Sequence, residues 1–265
     1  MGGKRRKGGV RYKTAEEIEI IRRNGDLLGR CHAEVAREVE PGVRTEKLNR
    51  TAEAFIADHG GKASFKGFNG FPAALCISVN DRVVHGFPGK YELRDGDIVS
   101  IDCGIYKNGL HADSAYTYPV GIIKSEVQEL LDATKASLQM GIEAIRRGNR
   151  LGDVGFAIQR YVETRGYGVV RELVGHGVGR ELHEAPEVPN YGRKGKGLPL
   201  QDGLVIAVEP MVNLGKRGVV QESDGWTIRT ADRRPSAHFE HTVAVRNGTY
   251  DVLTTFQYIE EVVTT

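Results

Sequence analysis

The sequence predicts an α+β fold built twice over. Three observations carry this: a repeat at a shift of 106 residues, apolar residues at helical spacing at the start of each copy, and short β-branched runs later in each. PGVRTEKLNRTAEAFIADHG (41–60) lies over RGNRLGDVGFAIQRYVETRG (147–166), pairing Leu48 with Val154, Ala52 with Ile158, Phe55 with Tyr161 and Ile56 with Val162. Each copy follows another helical stretch (14–39 and 125–146) and ends in glycine, a favoured helix stop. Each half therefore starts with a helix pair, and the two pairs should be related by a pseudo-twofold. The halves run over about 14–120 and 121–255 within one domain of 14–265.

Further on, DGDIVSID (95–102) lies over DGLVIAVE (202–209) at a shift of 107, so Asp102 and Glu209 are equivalent. Both runs are entered through Asp-Gly and read as strands buried on both faces, each closed by a carboxylate. Solvent-facing acids at strand ends are ordinary. A matched buried pair is not, because a carboxylate taken out of water needs a cation or donors beside it.

After Asp102, Asn108-Gly109 signals a tight hairpin turn. Asp102 and Asp113 have an index sum of 215, which centres the loop between Lys107 and Asn108 and makes them directly opposed neighbours on one face. Glu209 and Glu240 sum to 449, as do Asp224 and Gly225 in the turn QESDGWT, so a longer hairpin should bring the glutamates together. Four carboxylates from two hairpins then form an oxygen-rich site suited to two divalent ions. A lone histidine is more often structural, but His176 lies between glycines that allow close backbone approach, with His183 seven residues later, and His85 ends an apolar run before a Gly/Pro turn.

Other chemistries lack their motifs. His183 is followed by Glu-Ala-Pro and starts no HExxH; GxSxG and P-loop patterns are missing, and the glycines around His176 do not complete a dinucleotide loop. Cys31, Cys76 and Cys103 form neither a disulfide framework nor a CxxC pair, and read as reduced, buried thiols. No apolar run reaches membrane-spanning length, and the basic, glycine-rich start does not read as a secretory signal, so cytoplasmic residence without membrane association is expected. The net charge of +2 conceals six basic and no acidic residues among the first thirteen, leaving 31 basic against 35 acidic beyond them. Residues 1–13 read first as a flexible, solvated tail and second as a contact for ribosomal RNA phosphates.

The motifs CISVNDRVVHGFP, SIDCGIYKNGLHADSAYTY, VGHGVGRELHEAPEVPNYG, VEPMV and DGWTIRTADRRPSAHFEHT occur in that order, and the chain from about 14 to 253 resembles the type I methionine aminopeptidases. The resemblance implies the duplicated pita-bread fold and removal of the initiator methionine from nascent polypeptides with a small second residue. Only 31 residue steps separate Glu209 from Glu240, with no room for the helical insertion of type II members, and no zinc-finger extension precedes residue 14. It further implies that Asp102 holds one divalent ion, His176 and Glu209 the other, and that Asp113 and Glu240 bridge them. Cobalt, manganese, iron, zinc and nickel are the candidates. The ions would supply hydroxide at neutral pH by acidifying a shared water to a pKa of about 7, with Glu209 as proton acceptor.

By the same resemblance His183 stabilises the carbonyl oxygen, His85 assists the leaving nitrogen, and the substrate's free amine binds the ion at Asp102. Phe68, Phe71, Cys76, Leu182 and Trp226 would form the methionine pocket, with Phe65 at its edge. Phe68 and Phe71 stand where many members have tyrosine, and Leu182 where phenylalanine is common. A monomer is expected. The rival readings are an Xaa-Pro aminopeptidase or prolidase, and a non-catalytic binding protein on the same scaffold.

Overall fold

The computed structural model describes residues 9–263. The first half comprises α1 (Ala15–Ala36), α2 (Thr45–Asp58), β1 (Lys62–Ala63), β2 (Leu75–Val79), β3 (Arg82–Val84), β4 (Ile98–Lys107) and β5 (Leu110–Pro119). The second begins with α3 (Ser125–Glu143), α4 (Leu151–Glu163), β6 (Gly168–Val169), β7 (Gly175–Gly177), β8 (Glu184–Val188) and β9 (Val205–Val208). It continues through β10 (Met211–Asn213), β11 (Val219–Gln221), β12 (Ile228–Thr230), β13 (Ser236–His238), β14 (Glu240–Arg246), β15 (Thr249–Val252) and α5 (Gln257–Val263).

Thr14 starts α1 with a capping box, accepting from the Glu17 N–H while the Glu17 carboxylate accepts from its own. The repeat expected from sequence is visible in the burial: Leu48, Ala52 and Ile56 of α2 and Val154, Ile158 and Val162 of α4 are all sealed in the core. Both helix pairs cover one antiparallel sheet of order β1-β4-β5-β14-β9-β7-β8, with β2 also on β4 and β15 on β14. The β5–β14 pair sits at the centre, flanked on either side by the strand to which each carboxylate-bearing partner belongs. Two three-stranded sheets, β13-β10-β6 and β11-β12-β3, stand off this main sheet.

The first hairpin corrects the expected register. Asp102 pairs with Ala115 and Gly104 with Asp113, so the index sum is 217 and the loop is Asn108-Gly109 alone, both at positive φ (54° and 83°). That is the two-residue turn which matches strand twist. Asp102 and Asp113 are consequently diagonal neighbours; a shift of two residues keeps them on the same face. Nor does Asp102 end its strand, because β4 runs on to Lys107. Buried Asn24 of α1 clamps this turn by donating to the carbonyls of Lys107 and Leu110, both at 2.9 Å.

The second hairpin keeps the expected sum of 449 throughout. His241 opposes Val208, Met211 opposes His238, and Gln221 opposes Ile228, although the ladder passes through three sheets on the way to the Asp224-Gly225 turn. Glu209 lies one residue past β9, beside Pro210, where the strand leaves the main sheet.

The basic segment also differs in part from a solvated tail. Residues 1–8 lie outside the described residues, but Lys13 is buried and ion-paired with Glu184.

Candidate metal centre and adjoining cavity

The two hairpins deliver their acids to one point. Asp102, Asp113 and Glu240 each offer a carboxylate oxygen within 4.8 Å of the others, and so do His176, Glu209 and Glu240 with their ligand atoms. His176 Nε2 stands 3.5 Å from Glu209 Oε1 and 3.8 Å from Asp113 Oδ2. Its Nδ1 is 3.0 Å from the Gly177 carbonyl; with the proton on that nitrogen, Nε2 turns its lone pair toward the acids. Gly104, opposite Asp113, has no side chain to block the approach: a Cβ there would lie 3.2 Å from Asp113 Oδ1.

Electrostatics in the protein alone are unfavourable to the charged forms. Burial and the neighbouring acids push the carboxyls of Asp102, Glu209 and Glu240 well above the usual range, and burial pushes Asp113 up to about 8. Burial also lowers His176 to about 4, keeping the imidazole neutral. Asp102 Oδ1, Asp113 Oδ1 and Glu240 Oε1 are buried with no hydrogen-bond partner. Buried carboxylate oxygens converging without donors fit a divalent cation, which would supply the missing charge and return the acids to their ionised forms.

A cavity of about 790 Å³ opens from this cluster. Phe65, Phe71, Ala73, Cys76 and Leu182 form a buried apolar group against which Phe68, Phe87 and Trp226 pack. Phe71 stacks on Phe87 at 5.2 Å and meets Trp226 edge-on at 5.3 Å. Cys76 is the cross-strand partner of Asp102, so the apolar chamber abuts the acids directly. Every pocket residue expected from the resemblance lines this cavity.

His85 and His183 reach it from different sides. His85 follows β3 with φ 59°, a left-handed conformation uncommon outside glycine and typical of residues held for a purpose; burial lowers its pKa. His183 lies 4.1 Å from His176 ring to ring and 4.9 Å from Phe68, and one of its ring nitrogens lies within 4.8 Å of a carboxylate oxygen of Asp113 and a ring nitrogen of His176.

Sequence reasoning missed four contributors. His238 Nε2, buried and without a hydrogen-bond partner, is 3.7 Å from Glu209 Oε2; strand alternation from Glu240 could have flagged it. Asn190, fully buried, donates to the Glu209 carbonyl, a group the interrupted ladder leaves over. Ala73 and Phe87 complete the apolar wall. Neither Asn190 nor these two sits in a periodic pattern that points to the site.

Acids and an imidazole gathered beside an apolar chamber make a candidate metal centre next to a pocket for an apolar group. Residues 19–247 match the model of metallopeptidase family M24, and the chain belongs to that family, whose pita-bread fold it has. It is 52% identical to the methionine aminopeptidase of Clostridium perfringens over 91% of this chain and 97% of that one, and 48% identical to methionine aminopeptidase 1 of Bacillus subtilis over 91% and 98%. The crystal structure of the Rickettsia prowazekii methionine aminopeptidase superposes with a TM-score of 0.92 at 37% identity, covering 93% of this chain and all of that one. A prolidase from Pyrococcus furiosus shares the fold at a TM-score of 0.74 and 22% identity, covering 92% of this chain and 65% of that one.

Proposed function

We propose that this protein is a methionine aminopeptidase that uses two divalent cations to remove the N-terminal methionine from nascent proteins and peptides, preferring a small second residue. The observation that carries the reading is the set of donor-less buried oxygens of Asp102, Asp113 and Glu240 facing the neutral imidazole of His176. Relatives named methionine aminopeptidase at up to 52% identity support it.

Asp102, with Asp113 and Glu240, would hold one ion, and His176 and Glu209, with the same Asp113 and Glu240, would hold the other. When bound, the ions acidify solvent and polarise the scissile carbonyl. Glu209, ionised once the cations are bound, would take the proton from the attacking water. His183 donates to the carbonyl oxygen as negative charge grows there, and His85 lies toward the departing nitrogen. The chamber of Phe65, Phe68, Phe71, Cys76, Leu182 and Trp226 takes the methionine side chain, with Phe87 and Ala73 behind it. The substrate amine is held on the Asp102 side, which restricts cleavage to a terminal residue.

Four carboxylates and one imidazole, without thiolate, suit manganese, iron or cobalt better than a structural zinc site, and zinc and nickel complete the candidates. We further propose a cytoplasmic monomer, in keeping with three free buried cysteines. Among the described residues no helix is long and apolar enough to cross a membrane. A ribosome contact through the basic tail would fall to Lys4, Arg5, Arg6, Lys7 and the exposed Arg11, since Lys13 is engaged by Glu184.

The test is hydrolysis of Met-Ala-Ser against Xaa-Pro peptides, with and without chelator, together with calorimetric titration of manganese. Chelator-sensitive release of methionine with two ions per chain is expected. Turnover confined to Xaa-Pro peptides would favour the prolidase reading, and inactivity with every divalent ion a binding protein.

A further inference from the structure

His183 sits on a stretch, 178–183, that is neither helix nor strand. A segment without ladder hydrogen bonds is placed by whatever else its groups engage. Backbone bonds from Val178 N–H to the Val205 carbonyl and from His111 N–H to the Gly179 carbonyl hold only its start; the turn beyond is closed by Glu184, whose side chain folds back so that Oε1 accepts the N–H groups of Arg180 at 2.8 Å and Glu181 at 3.2 Å. Oε2 meets the ammonium of Lys13 at 2.5 Å, with both side chains only 4% exposed.

Lys13 is itself anchored at three points. Its N–H donates to the Gly203 carbonyl at 2.7 Å, just before β9; its ammonium also donates to the Arg11 carbonyl at 3.0 Å; and Thr14, the next residue, caps α1. The lysine stem lies across Gly179, where any Cβ would come within 2.3 Å of Lys13 Cε. From α1, Glu17 takes the guanidinium of Arg180 at 2.9 Å, a second tie on the same turn.

We infer that Lys13 is a positioning residue: its buried ion pair with Glu184 fastens the chain's N-terminal arm across the 178–183 stretch and holds His183 where it meets the scissile carbonyl. The inference rests on the role given to His183 above. Breaking a buried pair from one side leaves a charge without compensation, and the turn must move to hydrate it. A displacement of about 1 Å at a catalytic group can cost roughly 100-fold in rate.

The test measures Met-Ala-Ser hydrolysis by metal-loaded full-length Lys13→Met, His183→Ala and the double variant. Lys13→Met should lose roughly 10- to 100-fold in kcat with KM within about twofold, and manganese affinity by calorimetry should be unchanged. Lys13→Arg should recover part of the loss. Arg11→Ala, which removes an exposed guanidinium 3.9 Å from Glu184, should behave as wild type.

In the His183→Ala background, Lys13→Met should cost little more, because the two act through one group. Should Lys13→Met fail to fold, Lys13→Arg and Glu184→Asp keep both charges with altered reach, and a fall in their kcat at constant KM carries the same meaning. Wild-type kcat in the foldable pair variants overturns the inference, as does a Lys13→Met loss that persists in full without His183. Normal turnover in His183→Ala would instead overturn the role of His183, and the inference with it.

Discussion

The two hairpins that supply the acids do the same job with different construction. In the first, β4 and β5 form an uninterrupted ten-residue ladder closed by Asn108-Gly109, and both aspartates lie within strands. In the second, β9 breaks at Glu209-Pro210, and the chain makes a long excursion through β10–β13 before Glu240 re-enters the main sheet. The excursion keeps its cross-strand register yet leaves the sheet, and its tip brings Trp226 to the apolar chamber. The first hairpin is therefore mainly a rigid mount for two acids. The second holds two acids and also builds a wall of the apolar chamber.

If the hairpins are equivalent at the metal centre, one acid from each should be equally indispensable. Asp113→Ala and Glu240→Ala should both lower kcat by more than about 100-fold, beyond the 10–100-fold typical of the supporting partners around a metal. Turnover with manganese titrated to saturation measures this; near-normal activity in either variant breaks the equivalence.

Where the hairpins diverge, Trp226→Ala should raise KM for Met-Ala-Ser roughly 10-fold, the scale of losing apolar pocket contacts, while manganese affinity stays intact. An unaltered KM would detach the excursion from the substrate.

The shared acid cluster should also be visible in stability. Asp113, at about 8 in the folded protein against an ordinary 3.8, contributes stability that is complete below the ordinary value and lost as pH rises through 8. His176, lowered to about 4 from 6.5, contributes above 6.5 and loses it as pH falls through 4. Chelated protein should therefore show a falling contribution from the acids between pH 6 and 8.5. Manganese at one fixed concentration, about 100 times its Kd at neutral pH, should restore roughly 5–10 °C in Tm there, with the larger gain at pH 8.5. Scanning calorimetry with and without chelator decides it; a gain independent of pH would show that the acids are not raised.

The smallest effect separates the two turns. Gly109 and Gly225 both have positive φ, 83° and 79°, and a Cβ at either would meet nothing within 4 Å, so alanine brings backbone strain alone, about 1–2 kcal/mol. Gly109→Ala should appear as a Tm loss of roughly 2–4 °C at unchanged KM. Gly225→Ala should instead raise KM through Trp226 and move Tm less. Identical profiles would remove the distinction between mount and wall.

Much of this was legible in the residues. Helical spacing and the repeat placed α2 and α4, because side chains that must face one core recur at the helical period in both copies. Index sums found the second register outright and missed the first by two residues, because the loop is Asn108-Gly109 itself and not a pair centred one residue earlier. That slip preserves the face, so the site survived it.

Histidines show the opposite case. His32 is more deeply buried than His176, yet it is satisfied within the core by the Tyr118 hydroxyl and the Ser114 carbonyl, and only the glycines flanking His176 hint at the difference in sequence.

By itself the sequence determined two helix pairs, two acid-bearing hairpins, the faces their carboxylates share and the motifs that mark the family, since each depends on neighbours close in index or on a fixed period. Only the tertiary structure decided that Asn190 and His238 attend Glu209 and that Lys13 leaves the solvent to pair with Glu184. Those contacts join segments with no common period, and they form because buried polar groups must find partners wherever the packed chain brings them.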